Sequence, residues 1–513
     1  MSFLKRFRKE FEEPPLALTF DDISLMPSDI SYSSSRRDED ISLKTQISKN
    51  ITLNIPLMGS YMPTVSGEKM GITLPQLGGM AWMPRSPEQL RQVQGVKRHE
   101  NKIIEEPYKI SHTATVGDVQ QQLKVLGVGA LLVMEGSNLV GLVSTRDVDL
   151  REDYNLPVTE VMTSRDMLVT LDPRGLSEDE ITRKAVELFI EHRLEKIPLV
   201  SDDYVSGLVS KKDVKKMQNK LAVRDKDGHL IVGASVGLSR KENNDLDLDA
   251  LVEQTAKLLD VGADIIGLAI ANAYLNDAII AVEALRKTFP DMDLAAGSVT
   301  EYEGTKRLFD AGADTVLLGI GPGSICETRI VAGVGVPQFT AIRLAQKAAR
   351  EEGKFLIADG GISEPHHLNK ALFAGASGVI LGNVLAGTDD SPGEKERAGN
   401  TWVKIHRGLA SDTEKKNFDA MNNRSREVDP NNLYEYVYKH VEAEGVESGF
   451  TAYRGDTVNA VRRIIGGLRS CMTYMGVKDI PSLWKRCDEG KYVRVTPAGS
   501  RESNPHDLLS FHT

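Results

Sequence analysis

Short apolar runs alternate with amphipathic stretches along most of the chain, which is the pattern of β-strands separated by helices. The apolar runs predict strands at residues 55–61, 74–83, 231–236, 264–270, 293–296, 314–319, 355–358 and 378–381. Amphipathic spacing predicts helices at residues 86–99 and 248–259, and an alternating stretch at residues 16–26 predicts an edge strand. A glycine that ends a helix and precedes the next strand recurs at Gly262, Gly312 and Gly375. About eight β/α units result, the number that closes a TIM barrel, so the predicted fold class is α/β.

An internal sequence repeat interrupts the alternating pattern of the barrel. The octapeptide Gly-Leu-Val-Ser-Thr-Arg-Asp-Val begins at Gly141, and a near copy, Gly-Leu-Val-Ser-Lys-Lys-Asp-Val, begins at Gly207. Each copy follows an apolar strand and, before that, a helical segment, so the insert is a duplicated unit. The predicted domains are therefore residues 1–106 and 221–513 for the barrel and residues 107–220 for the insert.

The stretch from about residue 387 to residue 449 is long, polar and weakly periodic. A connector of this length is uncommon in a compact domain and usually has a function. The prediction is a mobile flap or lid within the barrel domain. The alternative is a disordered excursion on the surface.

The loop after the predicted strand at residues 314–319 has the most distinctive composition in the chain. It is crowded with glycines, which suits a backbone that approaches a ligand or adopts positive φ: Gly319, Gly321 and Gly323. Cys326 stands among these small residues with Arg329 close behind, and a nearby cation and loop amides favour the nucleophilic thiolate. A lone cysteine more often serves only to fill space in a tight loop. Cys326 therefore has two interpretations, a small packing residue and a nucleophile. Chemistry in a TIM barrel lies in the loops that follow the strands, which is where Cys326 falls.

Composition narrows the classes of function. The chain has 513 residues, 41% hydrophobic content and a formal net charge of −10, which predicts a soluble globular protein of two or three domains. The acidic balance argues against nucleic acid as a main partner. No apolar segment approaches membrane-spanning length, and no signal peptide is predicted. The three cysteines are too few and too widely spaced for a disulfide framework, so a cytoplasmic location is predicted.

Residues 319–338 closely resemble the catalytic loop of the IMP dehydrogenase and GMP reductase family, nearest to its bacterial IMP dehydrogenases. Residues 406–411, 466–470 and 494–503 resemble the same family, so the resemblance covers nearly the whole chain. It implies that Cys326 attacks carbon 2 of a purine nucleotide (IMP, XMP or GMP). It also implies that Thr328 and Glu444 contact the purine ring and transfer protons. A monovalent cation, K⁺ by resemblance, is implied at Gly321, Gly323 and Cys326.

The resemblance also implies the substrate and cofactor contacts. Asp359 is expected to accept charge-assisted hydrogen bonds from the ribose hydroxyls. The other substrate contacts, including a phosphate cradle of loop amides, are expected at Met62, Ser324, Gly360, Gly361, Gly382, Asn383 and Gly408. NAD, or NADP in its place, is expected to contact Ala269 and Asn272.

The insert resembles a tandem CBS (Bateman) module. The resemblance lies in the two octapeptides and in residues 161–163 and 192–198. It implies that adenine or guanine nucleotides bind the insert, with Asp147 and Asp213 on the riboses. Family members with such an insert commonly assemble as homotetramers or octamers.

Several positions depart from the family pattern. Ala269 stands where an Asp that contacts the nicotinamide ribose is usual, and other differences are Gly59, Ser298, Asn383 and His406. Dehydrogenases also carry a flap Arg-Tyr pair that activates the hydrolytic water, and residues 387–449 contain no such pair. Three interpretations stay open. In order they are an IMP dehydrogenase, a GMP reductase that retains CBS domains, and a catalytically impaired nucleotide-sensing paralogue.

Some of these residues also have plain structural interpretations. By spacing alone, Glu444 lies on a solvated, charge-rich face, and Asp359 caps a turn. His366 and His367 have no carboxylate or cysteine at ligand spacing. The prediction for these two histidines is a solvated helix start and no metal.

Overall fold

The computed structural model describes residues 16–28, 35–37, 39–100, 102–202, 204–241, 243–421, 437, 442–447 and 449–502. The chain forms two compact units. The first unit contains residues 1–97, 221–225 and 230–513, and the second contains residues 98–220 and 226–229. The second unit is therefore an insertion into the first.

Parallel strands close into an eight-stranded barrel in the first unit. In spatial order they are Gly233–Val236, Ile265–Ala269, Asp293–Val299, Thr315–Leu318, Phe355–Asp359, Gly378–Leu381, Leu57–Gly59 and Met80–Met83. The last strand pairs in parallel with the first through Trp82 and Gly233. The predicted α/β class and TIM barrel are confirmed by this closed parallel sheet and its flanking helices.

Helices alternate with the strands because each presents one apolar face to the sheet. In Leu248–Asp260, for example, the buried residues are Leu251, Thr255 and Leu258. The longer helices of this unit are Glu68–Gln76, Gln89–Arg98, Leu248–Asp260, Asn276–Thr288, Tyr302–Asp310, Gln338–Glu352, Pro365–Ala374, Asp412–Met421, Thr457–Met475 and Ile480–Asp488. Shorter ones are Thr328–Val331, Asn383–Ala386 and Pro497–Glu502.

Side chains alternate between two cores along each barrel strand, as period-two geometry requires. Ile265 and Ala269 join the apolar cluster inside the barrel. Ile266 and Leu268 join the cluster between the strands and the helices. Ala269, the last residue of its strand, therefore lies inside the barrel at the end where the functional loops begin.

Two predicted elements differ from the structure. Residues 74–83 do not form one strand, because Leu74 and Pro75 are buried in the helix Glu68–Gln76 and the strand begins only at Met80. Apolar runs of this length do not distinguish a buried helix end from a strand. Of residues 16–26, only Ile23–Leu25 forms a strand, which pairs antiparallel with Tyr492–Arg494.

The predicted flap contains regular structure in its described part. The strands Lys395–Ala398, Thr401–His406 and Gly449–Ala452 form an antiparallel three-stranded sheet. A small two-stranded sheet elsewhere in the unit joins Thr45–Gln46 and Thr52–Leu53. Residues 422–436, 438–441 and 448 of the predicted flap lie outside the described residues.

The second unit repeats one arrangement of helix, hairpin and short helix. Its first half contains Val116–Leu126, the hairpin of Ala130–Glu135 and Asn138–Ser144, and Thr145–Val148. Lys109–Ser111 and Thr163–Ser164 extend that hairpin into a four-stranded sheet. The second half contains Glu178–Glu191, Lys196–Ser201, Tyr204–Ser210 and Lys211–Met217. The two octapeptides thus occupy equivalent places, and the CBS assignment stays a prediction.

Candidate active site

The loop that carries Cys326 leaves the barrel directly after the strand Thr315–Leu318. Gly319 has a φ of 141°, and a Cβ there would collide with the Asp359 carbonyl oxygen. The Gln338 side-chain amide donates hydrogen bonds to the Leu318 and Asp359 carbonyls at 2.8 and 3.2 Å. A glycine is therefore required where two neighbouring strand-end loops approach each other.

Cys326 is half-buried, and its Sγ lies 3.2 Å from Thr328 Oγ1. The Cys326 N–H donates to the Gly323 carbonyl at 3.1 Å, which folds the loop back on itself. Arg329 packs against Gly321, and burial lowers the pKa of its guanidinium while the charge of Cys326 raises it. A guanidinium stays protonated in spite of such a shift. It donates to the Val336 carbonyl at 2.5 Å, so the loop contains a cation, while the contact of the thiol itself is the Thr328 hydroxyl.

A segment remote in sequence pairs with the Cys326 loop through its backbone. Cys326 and Gly445 form an antiparallel bridge. The Glu327 N–H donates to the Glu444 carbonyl at 2.7 Å, and the Val446 N–H donates to the Ile325 carbonyl at 3.1 Å. These bonds bring Glu444 beside the cysteine loop, which its position in a charge-rich stretch does not indicate.

The same remote segment also holds Gly408. The Gly408 N–H donates to the Val446 carbonyl at 2.9 Å, and a Cβ on Gly408 would lie 2.6 Å from the Gly445 Cα. Gly408, Gly445 and Cys326 are therefore stacked by backbone contacts alone. A side chain at position 408 would separate these layers.

Asp359 ends the strand next to that of the cysteine loop. Its Oδ2 accepts a hydrogen bond from the Tyr61 hydroxyl at 2.5 Å. Burial raises the pKa of the Asp359 carboxyl to about 6, and the bond from Tyr61 lowers it. Burial, followed by the Asp359 charge, raises the pKa of Tyr61 well above its usual value, so the phenol remains a hydrogen-bond donor. Sequence reasoning missed Tyr61, although its place just after a barrel strand was a usable signal.

The predicted phosphate positions lie in the neighbouring loops. Gly360 and Gly361 both have positive φ, at 87° and 78°. A Cβ on Gly382 would be 3.9 Å from both His406 Nε2 and Met62 Sδ, so these three residues converge. Ser324 is exposed.

Asn383 and His406 have partners within the protein. Asn383 Oδ1 lies 3.2 Å from Thr451 Oγ1 and 3.4 Å from an Arg454 guanidinium nitrogen. His406 is buried with its Nδ1 3.1 Å from Thr64 Oγ1, and burial lowers its pKa to about 4. His406 is therefore a neutral side chain at neutral pH, with Nε2 toward Gly382.

The two predicted cofactor contacts differ in chemistry. Ala269 is 3% exposed and has no polar side-chain atom, so it does not fit the role of a partner for a ribose hydroxyl. Asn272 is exposed, and its Oδ1 accepts a hydrogen bond from the Tyr274 N–H at 3.0 Å. Its amide nitrogen remains the group that suits a ligand.

The predicted cation positions fit an oxygen-liganded ion. Carbonyl oxygens are hard ligands, and the Gly323 oxygen keeps a second lone pair beyond the one that accepts the Cys326 N–H. Gly321 has a φ of 82°, which a residue with a side chain rarely adopts. The loop therefore depends on glycine at Gly321, and the cation site stays a prediction.

In the second unit, both predicted ribose-binding carboxylates have local partners. Asp147 Oδ2 accepts hydrogen bonds from the Ser144 N–H and hydroxyl, each at 2.7 Å, and so caps a short helix. Asp213 lies 3.3 Å from the Lys216 Nζ. Each carboxylate keeps an oxygen for another partner.

Asp21, His366 and His367 approach one another within 4.8 Å through their possible ligand atoms. His367 Nε2 lies 3.1 Å from Asp21 Oδ1, and His367 is buried. The prediction of a solvated helix start is therefore wrong for His367, because Asp21 comes from 346 residues away. Lys370 Nζ lies 3.2 Å from His366 Nδ1, and this positive charge weighs against a cation there.

Comparison with known proteins identifies the family of the chain. The sequence profile described as IMP dehydrogenase / GMP reductase domain matches residues 17–506. The chain belongs to the IMP dehydrogenase / GMP reductase family. It is an oxidoreductase of that family, and IMP dehydrogenases are its curated relatives. The inosine-5′-monophosphate dehydrogenase of Staphylococcus saprophyticus is 36% identical over 98% of this chain and 97% of its own. That of Staphylococcus aureus is 36% identical over 96% of each chain.

Solved structures of the family resemble the chain as well. A cysteine-to-alanine variant of Trypanosoma brucei GMP reductase, in complex with guanosine 5′-monophosphate, superposes with a TM-score of 0.86. It is 33% identical, and the match covers 98% of this chain and 100% of that one. The same enzyme in complex with guanosine 5′-triphosphate gives a TM-score of 0.76 at 30% identity, over 95% and 100% of the chains. Among the described residues, no helix is long and apolar enough to span a membrane.

Proposed function

We propose that this chain oxidises IMP to XMP, with NAD as the hydride acceptor and a covalent intermediate on Cys326. One observation carries the proposal: the Cys326 thiol, the Thr328 hydroxyl and the Glu444 segment are held together by the contacts of a single loop. The dehydrogenase direction is favoured by the IMP dehydrogenases that are 36% identical over nearly the whole chain.

The proposed reaction has two halves. The Cys326 thiolate adds to carbon 2 of IMP, and the hydride on that carbon leaves to NAD, so that a thioimidate remains. Water then adds to carbon 2, and the thiolate leaves to give XMP. Thr328 and Glu444 would move protons during these steps, since the Thr328 hydroxyl lies 3.2 Å from the thiol.

The remaining residues would bind and orient the substrates. Asp359 would hold the ribose, and the glycine-rich loops at Gly360, Gly361 and Gly382 would hold the phosphate. A monovalent cation, K⁺ by resemblance, would bind the carbonyls of the cysteine loop and fix its shape. No step rests on Ala269, because it offers no polar atom to NAD.

A GMP reductase is the second candidate. It is favoured by the Trypanosoma brucei GMP reductase in complex with guanosine 5′-monophosphate, and by the absence of an Arg-Tyr pair from residues 387–449. The Cys326 thiolate would add to carbon 2 of GMP and ammonia would leave. Hydride from NADPH would then add to carbon 2, and the thiolate would leave to give IMP. This cycle needs no hydrolytic water, so it needs no residue that activates one.

We further propose that the second unit is a tandem CBS module that binds adenine or guanine nucleotides near Asp147 and Asp213. The protein would assemble as a homotetramer or octamer in the cytoplasm. The duplicated halves support the first of these proposals, and the family resemblance supports the assembly. Equilibrium binding of ATP and GTP to the full chain, with sedimentation of the same samples, tests both.

The direction of the reaction is tested by following reduced cofactor in two parallel assays, IMP with NAD and GMP with NADPH, both with K⁺ present. We expect NADH production from IMP that Cys326→Ala abolishes and that Cys471→Ala, a cysteine outside the site, leaves intact. NADPH consumption with GMP alone would support the reductase. No change in reduced cofactor in either assay, together with nucleotide binding by the second unit, would indicate a nucleotide-sensing paralogue instead.

A further inference from the structure

Tyr61 lies at the mouth of the barrel, just after the strand Leu57–Gly59. It is 9% exposed and packs in the apolar cluster inside the barrel, which also contains Ala269 and Ile357. Its hydroxyl donates to Asp359 Oδ2 at 2.5 Å. The proposed ribose-binding carboxylate therefore already has a partner within the protein.

Further groups act on the Tyr61 hydroxyl. The Ser298 side chain and the positive charge of Arg85 lower the pKa of Tyr61, against the larger effects of burial and of Asp359. The ring is packed in the barrel interior and the hydroxyl donates to Asp359, so Tyr61 keeps its place without a ligand.

A vicinal diol is recognised best when its two hydroxyls each bond one oxygen of a carboxylate. Tyr61 occupies one of the two acceptor sites of Oδ2, so a sugar hydroxyl must share that oxygen with it, whereas Oδ1 remains for the other sugar hydroxyl. We infer that Tyr61 is a specificity-determining residue, which acts through Asp359 and weakens the preference for ribonucleotides over 2′-deoxyribonucleotides. The inference rests on the proposed function, since it assumes that a purine nucleotide places its sugar at Asp359.

The test compares affinities for IMP and GMP with those for their 2′-deoxy counterparts, by titration calorimetry on the full chain. In the unmodified protein we expect ribonucleotides to be preferred by about threefold or less, because Tyr61 competes with one of the two sugar hydroxyls for Oδ2. Tyr61→Phe keeps the ring and frees Oδ2, so it should raise the preference by about tenfold, through tighter ribonucleotide binding. Affinity for the 2′-deoxynucleotides should stay within about twofold.

Two further variants separate this role from a structural one. Ser298→Ala removes a hydroxyl that lowers the pKa of Tyr61 and so makes the phenol a weaker donor to Asp359, which should raise the preference in the same direction by a smaller factor. Tyr302→Phe removes an exposed hydroxyl that bonds Glu351, away from Asp359, and should leave the preference unchanged. If Tyr61→Phe does not fold, Tyr61→Leu, which also removes the hydroxyl that bonds Asp359, decides the sign.

Three outcomes overturn the inference. An unchanged or smaller preference in Tyr61→Phe, with nucleotide binding intact, would mean that Tyr61 does not compete with the sugar. The same holds if Tyr61→Leu gives no rise while Tyr61→Phe is unfolded. Failure of every purine monophosphate to bind the unmodified protein would overturn the proposed function as well, which the first two outcomes leave standing.

Discussion

The two sides of the barrel mouth are built in different ways. On the nucleophile side, backbone hydrogen bonds and glycines hold Cys326 against residues 444–446. On the sugar side, side chains decide the chemistry, because Tyr61 bonds Asp359 and Ala269 supplies no polar atom. Under the proposed assignment, chain geometry fixes the reaction centre, whereas substrate and cofactor preference depend on side chains that single substitutions change.

The nucleophile side should respond most strongly to loss of its thiol. Cys326→Ala removes the covalent step, so we expect kcat to fall by about 10⁴-fold or more. The affinity for nucleotide should change by about threefold or less, because the sugar side is untouched. Steady-state kinetics and calorimetry measure the two quantities. Turnover retained in this variant would contradict the nucleophile assignment.

Substitution of Gly319 tests whether the nucleophile side depends on backbone geometry. Gly319→Ala places a methyl group against the Asp359 carbonyl at a φ that disfavours a side chain, so both loops must move. A displacement of this kind should lower kcat/KM by about 100-fold. The matched control is Gly466→Ala, where no atom lies within 4 Å of the new methyl group and kcat/KM should not change. Equal activity of the two variants would mean that the loops are not coupled.

Introducing a carboxylate tests whether the sugar side depends on its side chains. Ala269→Asp supplies the carboxylate that the family resemblance implies at this position, so the KM for the dinucleotide should fall by about tenfold. The free energy of unfolding should fall too, because the site is buried and a carboxylate loses its water. Kinetics and urea unfolding measure these effects. Ala269→Asn, without the charge, should give little of the affinity gain.

The smallest effect concerns pH. Since burial raises the pKa of Asp359 from 3.8 to about 6, the carboxyl is protonated below that pH and accepts sugar hydroxyls poorly. Nucleotide affinity should therefore rise a few-fold as the pH increases from 5 to 7, about one unit on either side of that pKa. The nucleotide phosphate also titrates near pH 6. Asp359→Asn controls for it, and a rise of the same size in that variant would contradict the assignment.

The stability of the protein should change with pH in the opposite direction. Between 3.8 and about 6, the native Asp359 holds a proton that the unfolded chain has lost. The contribution of Asp359 to the free energy of unfolding therefore falls as the pH rises through this window. Urea unfolding of the unmodified protein and of Asp359→Asn over this range isolates that contribution.

The sequence was informative where the signals are local. Apolar runs and helix-ending glycines predict the barrel because each strand and helix end leaves its own pattern over a few residues. The sequence around Cys326 predicts the family because its glycines are needed for one particular loop conformation. The failure at residues 74–83 also has a local cause, since a buried helix end and a buried strand are both apolar.

Contacts between distant residues could not be predicted in this way. Tyr61 and Asp359 are 298 residues apart, and Asp21 and His367 are 346 apart, so no spacing pattern connects either pair. The backbone bonds between the cysteine loop and residues 444–446 depend on chain geometry and leave no mark on side-chain pattern. The barrel explains part of the gap, because strand-end loops meet at one mouth however far apart they lie in sequence.

The most direct test of covalent catalysis is a rapid-quench experiment with IMP and NAD, in which peptide mass spectrometry locates any bound nucleotide. The account predicts a nucleotide adduct on the peptide that contains Cys326, formed together with an equal amount of NADH. A reaction that yields NADH without an adduct on Cys326, or an adduct on another residue, would contradict it.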